Sequence, residues 1–178
     1  MNYIIIDLEA TCWKNDMDFT KMETIEIGAV KLAGDNLEDL SEFSHFVRPV
    51  EIPQLSDFCT ELTSITQQDV DKAEPFNIVF PELLKWIGEE DYKMVSWGSY
   101  DLTQFTIDCR RHDINLPERF AEEHINLKKE FAKLKQRRPC GMKQALRILN
   151  IPLAGTHHRG IVDARNIAKI AQQVLKLS

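Results

Sequence analysis

A short apolar run that ends in two acids constrains this chain more than any other feature. Tyr3-Ile4-Ile5-Ile6 is apolar and β-branched after its tyrosine, and Asp7-Leu8-Glu9 follows at once. Such a run predicts a strand buried on both faces, at the centre of a sheet covered by helices. The acids then fall at the strand end, where α/β folds place their ligands. Successive side chains of a strand alternate, so Asp7 and Glu9 leave the same face. Spacing alone leaves two readings open: one acid caps a neighbouring backbone while the other is solvated, or the two belong to a site.

The rest of the pattern predicts an α/β fold with a central mixed sheet of about five strands flanked by helices. Thr24 to Leu32 and Ser41 to Val47 read as strands joined through the polar turn Gly34-Asp35-Asn36, hence antiparallel. Thr66 to Val70 and Pro75 to Gly88 carry helical spacing, the latter with Phe76, Val79, Phe80, Leu83, Leu84 and Ile87 on one face. Met94 to Trp97 predicts a strand, followed by a helix from Leu102 to about His112. Ile125 to Leu127 predicts a last short strand, and helices follow to about Lys135, from Gly141 to Asn150 and from Asp163 to Leu175. No repeat, linker or low-complexity tract divides residues 1–178, so a single domain is expected.

Composition narrows the setting. No stretch approaches the ~18 unbroken apolar residues of a membrane span, and the start lacks the marks of a signal peptide. Cys12, Cys59, Cys109 and Cys140 are far apart and fit no CxxC spacing, so reduced thiols in a cytoplasmic protein are expected rather than a disulfide framework or a zinc site. A net charge of −6 argues against coating nucleic acid by bulk electrostatics, yet permits an enzyme with a local basic track.

Two further acids stand in core-facing positions. Asp163 heads the stripe Ile167, Ile170, Ala171 and Val174 of the final helix. Taken singly it fits an anion at a helix N-terminus, worth ~0.3–1 kcal/mol. Asp101 follows a turn and fits a helix cap, with Gln104 completing a capping box. Those readings do not explain the set. Four acids converging without a Lys or Arg partner would repel one another unless a hard divalent cation held them, and Mg²⁺ suits an all-oxygen site. Between Gly155 and Gly160 runs the polar loop Thr156-His157-His158-Arg159, shortly before Asp163. A histidine there suits proton removal from water near neutral pH; a surface or zinc-binding histidine is the alternative, and spacing does not decide between His157 and His158.

The ordered set Asp7-Leu8-Glu9, Asp101 and His158-Arg159-Gly160-Ile161-Val162-Asp163 resembles the D-x-E, D and H-x4-D motifs of the DEDDh 3′→5′ exonuclease superfamily. Leu55 to Thr66 and Trp97-Gly98-Ser99-Tyr100-Asp101 are similar to its Eri-type branch, that of the histone-mRNA 3′ exonucleases and KapD-like proteins. The resemblance covers essentially the whole chain. Val162 departs from it, where many members carry a second Asp.

The resemblance implies a ribonuclease H-like fold and two Mg²⁺ (or Mn²⁺) ions held by Asp7, Glu9, Asp101 and Asp163. It makes His158 the general base and His157 a bystander. The implied reaction is in-line hydrolysis of phosphodiester bonds from the 3′ end of single-stranded RNA, with DNA as the alternative, releasing nucleoside 5′-monophosphates. It places Phe58 and Tyr100 against the terminal base, and Ala10 and Thr11 at the terminal 3′-hydroxyl. Core packing for Phe58 and a local turn hydrogen bond for Thr11 remain open beside those roles. Trp13 and Trp97 read as packing residues. Between Lys128 and Arg147 eight basic residues, Arg137 and Arg138 among them, accompany one acid, and this strip reads as a phosphate track rather than two solvated helix faces. Two competing readings are a proofreading or repair exonuclease acting on DNA, and a nucleic-acid-binding module without chemistry. No membrane association is expected.

Overall fold

Strand β1, Asn2–Ala10, runs through the middle of the molecule and carries the apolar run and both acids. The computed structural model describes residues 1–16 and 18–176. A 3-10 turn at Phe19–Lys21 leads into β2, Thr24–Leu32, and β3, Asp39–Phe46, follows after a turn. Three helices come next: α1 at Asp57–Thr63, α2 at Gln67–Asp71 and α3 at Phe76–Ile87. Strand β4, Tyr92–Ser96, leads to α4 at Tyr100–Arg111 and α5 at Arg119–Glu122. Strand β5, Ile125–Asn126, precedes α6 at Leu127–Leu134, α7 at Met142–Ile148 and α8 at Gly160–Val174. Among the described residues no helix is long and apolar enough to cross a membrane.

The five strands lie in the order β3-β2-β1-β4-β5. β1 is antiparallel to β2 along its whole length, from Tyr3 opposite Leu32 to Ala10 opposite Thr24, and parallel to β4 only from Asn2 to Ile5. The mixed sheet is thus as the sequence predicts. Alternation along β1 sorts the core. Ile4, Ile6 and Leu8 face a layer containing Phe76, Phe80, Phe105 and Phe120 of α3, α4 and α5. Ile5 faces the other layer, built from Leu127, Phe131, Leu146, Ile167, Ile170 and Ala171 of α6, α7 and α8. Asp7 and Glu9, two and four residues on, share the face of Ile5 and so look toward α8.

The acids lie at the end of the first strand, as expected, and the pairing with β2 carries through them. Asp and Glu are poor strand formers taken singly, but here every residue from Asp7 to Ala10 has a partner on β2. The last helix begins at Gly160, not at Asp163. Its first amide donates to Glu26 Oε2 at 3.0 Å, so an acid from β2 supplies the anion that its own N-cap, Arg159, cannot. Helix α1, which periodicity does not predict, carries a Ser56 cap accepting from the Cys59 amide and an acid, Asp57, in its first turn.

One contact sets how closely α8 approaches the sheet. Gly28 lies opposite Asp7, and a Cβ placed on it would meet the Gly160 carbonyl carbon at 2.0 Å and the Ile161 nitrogen at 2.1 Å. Only a glycine lets the helix backbone touch the strand there. Gly28→Ala is therefore expected to lift α8 from the sheet and to cost at least about 3 kcal/mol in urea unfolding, the upper range for overpacking; a loss under ~1 kcal/mol would show that the contact is relaxed elsewhere.

Candidate active site

Asp7 and Glu9 rise from β1 toward the first turn of α8, and Asp163 descends to meet them. One carboxylate oxygen from each of the three lies within 4.8 Å of the others. Glu9 and Asp163 are buried, at 9% and 3% exposure. Asp101 arrives from the other side. β1 outruns its pairing with β4 after Ile5, which leaves the later amides of that edge without a strand partner, and Asp101 Oδ1 accepts from the Leu8 amide at 3.0 Å. Asp101 therefore docks on β1 instead of capping α4, and Gln104 turns to Met22 and Asp108 rather than closing a capping box. A pocket of about 350 Å³ is lined by Asp7, Glu9, Asp101, Asp163, His157, His158, Trp97, Tyr100 and Met142.

Electrostatics mark this pocket as under strain. Burial, and then the charges of Asp101, Glu9 and Asp163, push the Asp7 carboxyl well above its usual range. Burial, Asp163 and Glu26 push Glu9 up to about 8. Asp101 rises to about 6 through burial, restrained by the hydrogen bond from Leu8. No Lys or Arg forms an ion pair with any of these four acids among the described residues. Glu26, opposite Glu9 on β2, is a fifth acid outside the expected set, although an acid between Ile25 and Ile27 was its signal. It differs from the four in being neutralised, by Arg159 at 3.0 Å and by the Gly160 amide.

Both histidines reach the pocket. His158 adopts a left-handed backbone, φ 64°, and its amide donates to Asp163 Oδ2 at 2.9 Å. His157 Nδ1 lies 2.6 Å from the same oxygen but too poorly aligned to hydrogen-bond, so that nitrogen and Asp163 Oδ1 are buried without a partner. The two rings pack at a centroid distance of 3.9 Å. Burial, the neighbouring His157 and Lys143 hold the His158 imidazole below its ordinary pKa. His157, expected to be a bystander, is thus in contact with the acid set, and His157, His158 and Asp163 also form a compact donor group.

The remaining expected residues divide. Tyr100 lines the pocket, its hydroxyl 3.3 Å from Gln104 Oε1. Trp97, expected only to pack, both lines the pocket and donates from Nε1 to the Cys140 carbonyl. Phe58 is half-buried in a separate recess with Lys14, Asp57, Glu61 and Leu62. Ala10 accepts from the Cys59 thiol through its carbonyl, and Thr11 is buried with its hydroxyl accepting from the Glu23 amide, so the local hydrogen bond is present. Arg137 and Arg138 are exposed between α6 and α7 and line no wall of the pocket; of the basic strip, Lys143 on α7 acts on His158.

The RNase_T exonuclease pattern matches residues 4–171. The chain belongs to that exonuclease family. It is 37% identical to ERI1 exoribonuclease 2 of Xenopus laevis over 194 residues, covering 97% of this chain and 28% of that protein. The chain thus spans under a third of the length of that relative. The nuclease domain of 3′hExo, a DEDDh family member solved bound to rAMP, superposes with a TM-score of 0.92 at 32% identity, over 99% of this chain and 92% of that one. A 3′-exonuclease solved in 3′-end-specific recognition of a histone mRNA stem-loop gives 0.91 at 32% identity, over 99% and 64%. The mixed sheet and its helices are the ribonuclease H-like fold of these exonucleases, and the Eri-type resemblance holds.

DEDDh exonucleases depend on divalent metal. The residues present fit one: carboxylate oxygens converge, Asp163 Oδ1 has no partner, and no cationic side chain pairs with the set among the described residues. The metal-free protein should therefore respond to pH. Glu9, ordinarily titrating at 4.5, keeps its proton to about 8 when folded, so between those values the native state binds more protons than the unfolded chain and stability falls as pH rises. In EDTA the protein is expected to melt lower at pH 8 than at pH 5, and added Mg²⁺ or Mn²⁺ to raise the midpoint more at pH 8. Glu9→Gln should raise the metal-free midpoint at pH 8 and blunt the gain from metal; a metal-free midpoint that climbs over this range would contradict the clustering.

Proposed function

We propose that this chain is a divalent-metal-dependent 3′→5′ exonuclease that shortens single-stranded nucleic acid, RNA in preference to DNA, with two Mg²⁺ or Mn²⁺ ions in its acid pocket. The observation that carries the reading is the meeting of Asp7, Glu9, Asp101 and Asp163 in one pocket with no Lys or Arg paired to them among the described residues. The relatives are named as exoribonucleases, and one was solved on an RNA stem-loop, which favours RNA here.

Asp7, Glu9, Asp101 and Asp163 would hold the metal. Metal held there would supply Lewis acidity toward the phosphate and the attacking water and would offset charge on the leaving oxygen. The chain's own residues do the rest. Tyr100 takes the terminal base at the pocket wall. His158, held neutral by its surroundings, accepts the proton of the attacking water on its imidazole, worth typically 10²–10⁴-fold. A new phosphorus–oxygen bond forms from the water as the bond to the 3′ oxygen of the preceding nucleotide breaks. The products are a nucleoside 5′-monophosphate and a strand one nucleotide shorter. His157 offers a second candidate for the proton, because its Nδ1 lies against Asp163. The basic strip spans α6 and α7, and Lys143, next to the pocket residue Met142, acts on His158; the strip would track the phosphates upstream.

A time course on 5′-labelled RNA and DNA in Mn²⁺ tests this. A one-nucleotide ladder is expected, faster on RNA, abolished by EDTA and by Asp7→Ala; internal cuts would refute it. His158→Ala should lower kcat by roughly 10²-fold or more with His157→Ala milder, and the reverse order would assign the base to His157. Activity should also fall with salt. Arg137→Ala with Arg138→Ala should flatten the log–log slope by roughly 0.7 for each phosphate that is no longer neutralised, and an unchanged slope would remove the basic track.

A further inference from the structure

The turn ahead of β2 presents an aromatic ring that the mechanism above does not use. Phe19 opens the 3-10 turn and is 44% exposed. Its ring centroid lies 5.9 Å from that of Tyr100, the planes tilted by 57°. Tyr100 lines the acid pocket and is itself 37% exposed, and Phe19 stands beyond it, outside the pocket lining. A single exposed phenylalanine is ordinary. This one is held out by its setting. The Asp18 carboxylate accepts from the Thr20 amide and hydroxyl, and Lys21 pairs with Asp16 at 2.9 Å. Arg111, its side chain nearly buried, donates to the Thr20 carbonyl at 2.6 Å and the Met22 carbonyl at 3.0 Å while pairing with Asp108 and Glu51. A turn fastened on both sides of the ring displays Phe19 and keeps it from folding onto the apolar surface.

We infer that Phe19 is a substrate-positioning residue that stacks the base of the second nucleotide from the 3′ end, beside a terminal base on Tyr100. The identity of the substrate rests on the exonuclease reading. Planes 57° apart do not sandwich one flat base, so the two rings offer their faces to different bases. Such stacking tolerates any sequence, since every base has a π-face. It also requires an unpaired 3′ end, because a base stacked on protein has left its duplex neighbour.

The test compares wild type, Phe19→Ala, Phe19→Leu and Phe19→Trp. Binding of a fluorescein-labelled single-stranded RNA is read in EDTA, and kinetics are read in Mn²⁺ on that RNA and on a nucleoside 5′-monophosphate p-nitrophenyl ester, which carries one base only. Phe19→Ala is expected to weaken RNA binding and raise its KM roughly fivefold or more, at unchanged kcat. Phe19→Leu should fall between, Phe19→Trp should restore affinity, and the aryl ester should not distinguish the variants. Equal RNA affinity in Phe19→Ala and wild type overturns the inference. So does an equal loss on the one-base ester, which would make Phe19 a prop for Tyr100. A wild type that binds RNA more tightly than Phe19→Ala but cuts nothing removes the exonuclease reading and leaves this one; a Phe19→Ala variant that binds and cuts RNA as well as wild type does the opposite.

Discussion

Like-charge repulsion among buried carboxylates is the constraint around which this molecule is arranged. Asp7, Glu9, Asp101 and Asp163 come from a strand, a helix start and a distant final helix, and no basic side chain reconciles them among the described residues. What holds them together is apolar packing at a distance from the charges. Ile4, Ile5, Ile6 and Leu8 fix β1 between two layers, and the Gly28–Gly160 contact fixes α8 against the sheet. The core thus supplies the free energy that opposes the repulsion, and a scaffold of this rigidity is what a preorganised metal site requires.

The five acids in this region illustrate how placement decides role. Glu26 is as deeply buried as any of the four, yet its carboxylate is satisfied by Arg159 and by the first amide of α8. It acts as a structural anion. The four others have no Lys or Arg ion-pair partner, and the buried Asp163 Oδ1 has no hydrogen-bond partner, among the described residues. Chemistry belongs to the unsatisfied group, because only its members gain by binding something.

Much of this was legible in the sequence, and what was not has identifiable physical causes. The β-branched run at Ile4 to Ile6, the helical stripes of α3 and α8 and the limits of β2 follow from periodicity alone, since each is long enough for burial to dominate. The order of acids, with the loop histidines, marked the site. The place of Asp7 and Glu9 at the end of β1 was legible too, and pairing with β2 is what overrides the poor strand propensity of acids there. The early start of α8 was hidden because its cap comes from Glu26, more than a hundred residues away in the chain, and no local pattern reports such a partner. The contact of His157 with Asp163 depends on the left-handed turn at His158, which residue identity does not announce. Phe58 lies in the first turn of α1, a short helix that periodicity does not announce, and lines a recess separate from the acid pocket.

The capping of α8 by Glu26 also bears on the order in which the chain can become competent. Arg159 and Gly160 find their partner only once β2 is in place, and β2 in turn waits for β1. The histidine loop and Asp163 are therefore among the last pieces to be seated, through contacts of long sequence separation that close slowly. During synthesis, a chain that has emerged only as far as α7 already carries three of the acids but lacks the fourth and the histidines. By topology alone the carboxylate cluster stays incomplete until the final helix closes over the sheet.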